Sequence, residues 1–327
     1  MPISRRAFMT AAAAAPLISL LPGRAFAAFP DHPIRLVVPF AAGGNADFVA
    51  RVVSDPMQKA LGQPIVVDYR TGAGGSLGAD VVAHSPADGY TLLTGSNGPL
   101  TVNPFVQAKL GYDPLKDFVA IGLANLAPHC IVVNEAVPAK NLPELVALSK
   151  TKPVNIGTSG AGSASHMTLA RLNAATGANF THVPYRGGGA LIPDLLSGSI
   201  TGAMTELSTA LPQVGGGKVR VLGVAWSKRS PQIPDVPTMI EQGVKDFTAA
   251  SYVGLLAPAA TPAEVVKTLE AALIKALNQK DLQDKMLKSG AELVPDDLMT
   301  SQGFADYIKK EFDITREAAK LAGLTPT

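Results

Sequence analysis

Short β-branched runs alternate with helical stretches through most of this 327-residue chain, and that alternation restricts the fold more than any other feature. Ile34-Arg35-Leu36-Val37-Val38 is a strand-length run stopped by Pro39. Gly43-Gly44 then opens into a helical pattern over 46–61. Ile65-Val66-Val67, the turn Gly72-Ala73-Gly74-Gly75, a helix of small residues over 77–83 and Tyr90-Thr91-Leu92-Leu93 continue the pattern. A second set predicts strands at 131–133, 154–157, 180–183, 200–204 and 219–224, with helices at 142–148, 165–176, 190–196 and 208–214. Asn141-x-x-Glu144 marks the start of the first of these helices. Apolar strands joined by helices predict an α/β fold, with a mostly parallel sheet flanked by helices.

The end of the chain changes character. One more strand, Tyr252-Val253-Gly254-Leu255-Leu256, is followed only by helical patterns at 265–277, 282–288 and 304–321. Thr261-Pro262-Ala263-Glu264 reads as a capping box with proline at the first helical position. A lone strand followed by helices makes sense if the chain returns to the sheet it started. The expected organisation is two lobes, 28–126 with 251–327 and 127–250, joined by crossover strands near 125 and 250. A cleft between such lobes is lined by the carboxyl ends of strands.

Residues 1–27 read as an export leader. Ser4-Arg5-Arg6-Ala7-Phe8-Met9 has the paired arginines of a twin-arginine signal, an apolar stretch covers 11–21, and Ala25-Phe26-Ala27 offers a cleavage site. The apolar stretch is short for a membrane span and is broken by Pro16 and Pro22. The expectation is a periplasmic protein cut near Ala27. The leader holds Arg5, Arg6 and Arg24 and no acid, so 25 bases and 26 acids remain, a formal charge of −1. That balance argues against a nucleic-acid surface. The single Cys130 has no internal disulfide partner and sits beside Ile131-Val132-Val133, as a buried inert thiol would.

Three glycine- and hydroxyl-rich loops join strands to helices. The first holds Phe40, Ala41, Gly43, Gly44, Asn45 and Asp47, where backbone N–H groups and a helix start suit an anion. The second holds Thr158, Ser159, Gly162, Ser163, Ser165 and His166. Its amides and hydroxyls would cradle a carboxylate without a full positive charge, or simply cap a helix. The third, Pro184-Tyr185-Arg186-Gly187-Gly188-Gly189, adds Tyr185 as an aromatic wall and Arg186 as a charge or a solvated surface residue. Ser96 and Asn97 complete the candidate set in the first lobe.

Other chemistries find little support. Gly72–Gly78 misses the dinucleotide fingerprint in its glycine spacing, and no Gly-Lys-Ser/Thr phosphate loop exists. Ser165 and His166 are adjacent, so on a helix their side chains diverge by about 100°. The five histidines lack metal-ligand spacing. No cofactor, no metal and no catalysis are expected; a hydrolase built from distant residues is the alternative.

The ordered set of motifs resembles the tripartite tricarboxylate transporter substrate-binding proteins, the Bug receptors. The resemblance rests on Pro33-Ile34-Arg35-Leu36-Val37-Val38-Pro39-Phe40, Arg70-Thr71-Gly72-Ala73-Gly74-Gly75, Ala87-Asp88-Gly89-Tyr90-Thr91-Leu92-Leu93, Gly162-Ser163-Ala164-Ser165-His166, His182-Val183-Pro184-Tyr185-Arg186-Gly187 and Pro234-Asp235-Val236-Pro237-Thr238. It implies a two-lobed type II periplasmic-binding fold of the flytrap kind. It also implies a small organic carboxylate held by the loops at 40–47 and 158–166, a monomer, and delivery to a membrane permease or a sensor kinase. One departure is visible. Family members that bind amino-dicarboxylates often carry Asp where this chain has Thr205, and here the acid is Glu206. Unless Glu206 turns inward, a plain mono- or dicarboxylate is expected.

Overall fold

The computed structural model describes residues 29–321. The expected leader, its twin arginines and its cleavage site lie outside them. The first stretch runs β1 (Ile34–Val38), α1 (Asn45–Leu61), β2 (Ile65–Tyr69), α2 (Ser76–Ala83), β3 (Thr91–Ser96) and the short α3 (Asn103–Val106). Then come β4 (Phe118–Asn134), α4 (Leu142–Ser149), β5 (Val154–Thr158), α5 (Ala164–Thr176), β6 (Phe180–Pro184), α6 (Gly188–Ser197), β7 (Gly202–Glu206), α7 (Leu207–Val214) and β8 (Val219–Ala225). The chain closes with β9 (Ala250–Pro258), α8 (Ala263–Leu277), α9 (Lys280–Lys288) and α10 (Ser301–Leu321). Among the described residues no helix is long and apolar enough to cross a membrane.

The strands form two sheets that share one member. The first has the order β2-β1-β3-β9-β4, with β1 parallel to β2 and β3 and β9 antiparallel to its neighbours. The second has the order β6-β5-β7-β4-β8, with β5 parallel to β6 and β7 and β4 antiparallel to β7 and β8. β4 is the shared strand. Its first part, Phe118 to Pro128, pairs with β9; its second, His129 to Asn134, pairs with β7 and β8. The sequence pattern predicts only 131–133 of this 17-residue strand, because Gly122, Asn125 and Pro128 break the apolar run. Pro128 has no N–H to give a ladder, and it stands where β4 changes partners. The return path lies alongside, with the His129 N–H donating to the Ala249 carbonyl at 2.9 Å and the Ala249 N–H to the Ala225 carbonyl at 2.9 Å.

Burial follows the strand period. Ile131 and Val133 enter one core of the second lobe with Ile156, Leu169 and Met204. Cys130 and Val132 enter the other with Leu191, Leu195 and Leu207. Burial raises the Cys130 thiol far above its usual range, so the residue is the inert apolar filler its neighbours suggest. A separate core joins β1, β3, β4 and β9 to α1, α8 and α10 through Leu36, Val49, Leu123, Tyr252, Leu269 and Phe304.

The Asn141 start signal forms as read: Asn141 Oδ1 accepts from the Glu144 N–H at 2.9 Å, and Glu144 Oε2 accepts from the Lys140 N–H at 2.8 Å. The second expected box does not form. Pro262 occupies the cap of α8, while the Thr261 hydroxyl turns back to the Pro258 carbonyl at 2.7 Å.

Candidate functional site

The loop after β1 is held from within. Gly43 has φ +83°, a conformation that suits glycine, and its N–H donates to Asp47 Oδ2 at 2.7 Å. The other Asp47 oxygen accepts from Arg51 Nε at 2.8 Å and the Tyr69 hydroxyl at 2.5 Å. Asp47 therefore fixes the loop. Gly44 caps α1 without a side-chain bond, so the first-turn amides of α1 have no intrahelical acceptor.

The loop after β5 is built the same way. Ser163 caps α5 by accepting from the His166 N–H at 3.2 Å. Ser165 Oγ accepts from the Ser159 N–H at 3.0 Å and lies 3.1 Å from Ser163 Oγ. His166 Nδ1 accepts from the Gly162 N–H at 3.2 Å, and its ring stacks on His182 with centroids 4.0 Å apart. Burial and the neighbouring His166 lower the His182 value to about 4.

The third loop meets the first across the lobes. The Ala41 N–H donates to the Arg186 carbonyl at 2.8 Å. A Cβ on Gly189 would collide with the Ala42 carbonyl oxygen, so the contact demands glycine. Ser208 Oγ of α7 adds a bond to Asn45 Oδ1 at 2.9 Å.

These loops line a narrow crevice bordered by Phe40, Gly44, Asn45, Ser96, Ser159, Ser163, Gly188 and Glu206, with Ser251 and Val253. A neighbouring outer groove, which shares Phe40 and Ser159 with the crevice, is walled by the Thr71–Gly75 turn, Leu77, Tyr185 and Arg186. The starts of α1, α5 and α6 line the crevice. Each contributes a partial charge of about +0.5, so the three together offset more than one negative charge.

One carboxylate faces them. Glu206, 8 % exposed, turns inward, so the condition attached to the plain-acid expectation is not met. Its Oε1 accepts from Ser251 Oγ at 2.7 Å and its Oε2 from Thr205 Oγ1 at 3.1 Å. Ser251 Oγ lies 2.9 Å from His129 Nε2, and His129 Nδ1 lies 2.7 Å from Thr168 Oγ1. His129 is fully buried; burial lowers its value to about 4 against the opposing pull of Glu206.

The family model for the tripartite tricarboxylate transporter family receptor matches residues 49–320. The chain belongs to that family. Three solved structures are similar to this receptor. Periplasmic binding protein BugD is 32 % identical with a TM-score of 0.88, over 91 % of this chain and all of that one. MatC (Rpa3494) from Rhodopseudomonas palustris with bound malate is 33 % identical, TM-score 0.85, over 89 % and 100 % of the two chains. R. palustris Rpa4515 with adipate is 30 % identical, TM-score 0.86, over 91 % and 100 %. The receptor thus has the two-lobed periplasmic-binding fold.

Within the receptor, the candidate residues divide by role. Phe40, Gly44, Asn45, Ser96, Ser159, Ser163 and Glu206 meet in the crevice, while Tyr185 and Arg186 stand at the outer groove. Ala41, Gly43, Asp47, Gly162, Ser165 and Thr205 support these from behind through the bonds described. Three residues point elsewhere. Thr158 Oγ1 bonds His182 Nε2 at 2.7 Å, Asn97 Oδ1 accepts from the Tyr252 N–H at 2.9 Å, and the His166 ring packs on His182. Sequence reasoning missed Ser251 and the Thr71–Gly75 wall. The signal for Ser251 is a hydroxyl at the start of an otherwise apolar strand; for the wall it is the glycine run set aside as a failed fingerprint.

Proposed function

We propose that this protein is a periplasmic receptor that holds a small organic carboxylate between its lobes, 28–126 with 251–327 and 127–250, and hands it to a tripartite tricarboxylate-type permease. The observation that carries this reading is the convergence of three helix starts and several hydroxyls on one interlobe crevice. Amide and hydroxyl donors in a confined space bind a carboxylate strongly without lysine or arginine. The malate and adipate of the two R. palustris structures are acids of this class. Residues 1–27 would direct twin-arginine export and be removed near Ala27.

Closure gains affinity only through contacts present in the closed form; on this reading the Ala41–Arg186 and Asn45–Ser208 bonds serve as such contacts. On this reading the protein acts as a monomer, uses no cofactor and leaves its ligand unchanged.

The test is thermal-shift and calorimetric screening of the mature chain against mono- and dicarboxylates, with recovery of the bound compound. Saturable binding and unchanged ligand support a receptor. Consumption of the ligand would identify an enzyme. Loss of uptake on deletion of the chain, restored by its re-expression, separates transport from signalling to a sensor kinase.

A further inference from the structure

The crevice sets one buried carboxylate among electropositive helix starts, and a site for a plain acid has no use for it. A ligand carboxylate placed against Glu206 would meet like charge in a confined space, where repulsion is strong. Among the described residues no lysine or arginine side chain pairs with Glu206; its one basic neighbour is His129, 4.0 Å away. Two hydroxyls donate to Glu206, one to each oxygen, at 2.7 and 3.1 Å. Each oxygen has a second lone pair, and Glu206 lines the crevice beside Ser251. The side chain is therefore held in place by Thr205 and Ser251, with acceptor capacity left over.

Resting on the reading of a carboxylate receptor, we propose that Glu206 is a specificity residue: the ligand is a carboxylate whose carbon chain carries a hydroxyl or ammonium group. Its acid end sits on the starts of α1, α5 and α6, and its O–H or N–H donor points at Glu206. A buried acceptor left unmatched weakens binding, whereas a donor brought by the ligand forms a charge-assisted bond. Malate and adipate, bound by two relatives, differ in this respect, so family membership does not decide the matter.

The test is calorimetry on the mature chain with matched trios that differ at one carbon. One trio is succinate, malate and aspartate; the other is phenylacetate, mandelate and phenylglycine. Within a trio that binds, the hydroxyl or ammonium member should bind at least about tenfold more tightly than the unsubstituted acid. Glu206→Gln should abolish any preference for the ammonium member and weaken a hydroxyl preference less, since the amide oxygen still accepts. Which member wins tells the hydroxy acid from the amino acid. Equal or tighter binding of the unsubstituted acid overturns the proposal while leaving the carboxylate receptor intact. Binding of no carboxylate in either trio or in the wider screen overturns both. If Glu206→Gln does not fold, the unmodified chain's ranking within a trio still decides.

Discussion

Asp47 shows how far a single side chain is removed from the role its position suggests. It sits at the start of a helix beside the proposed anion site, yet both of its oxygens are engaged by Gly43, Arg51 and Tyr69. Asp47→Ala should lower stability by about 1–3 kcal/mol, since it orphans a backbone N–H and two side chains; urea unfolding will read this. A loss below about 0.5 kcal/mol would mean that the loop holds itself. His129 gives a pH dependence with a definite sign. The unfolded histidine takes a proton near its ordinary value of 6.5, while the folded one refuses it until about 4. Across that window the unfolded chain binds more protons, so stability rises with pH. The slope from this group is at most about 1.4 kcal/mol per pH unit. Glu206 and Arg171 are the charged groups that act on it. Urea titrations between pH 4.5 and 7 should show a shallower slope for His129→Gln than for the native chain; equal slopes would refute the assignment.

At the level of elements, the loops matter through their contacts. Gly189→Ala places a methyl against the Ala42 carbonyl, so the loops after β1 and β6 can no longer meet. Ligand affinity should fall at least about tenfold, with thermal stability of the ligand-free chain little changed, because the damage falls on the closed form. Ser165→Ala leaves the Ser159 N–H without its acceptor at the start of α5. It should weaken binding by about 1–2 kcal/mol, as calorimetry with the identified ligand will show. All three loops and the helix starts that follow them were legible in the sequence, because glycine before a helical pattern is a local signal. The outer wall at Thr71–Gly75 and the role of Ser251 were not, since a residue's place in a shared crevice depends on contacts distant along the chain. The Thr261 box failed for a similar reason: the motif was present, and the Pro258 carbonyl captured its hydroxyl.

For the molecule as a whole, the two-lobed division followed from one observation, a lone strand ahead of terminal helices. The length of β4 was hidden by the residues that let it bend and change partners. Trp226 lines a crevice with Val224, Pro231, Leu287 and Ala291, residues from both proposed lobes. There Gln232 Nε2 donates to the Leu287 carbonyl at 2.8 Å and Lys228 pairs with Glu292 at 3.0 Å. Rotation of the lobes as proposed would alter this packing. Titration with a tight ligand should therefore shift Trp226 emission in step with calorimetric saturation, and an unresponsive spectrum would place the moving surface elsewhere. The strand that threads both sheets has a further effect. Both sheets include this strand, so melting one removes a ladder partner from the other. Capturing cargo should accordingly protect amide hydrogens far from the crevice, in β6 as well as in β2, through a spine that neither half can relinquish alone.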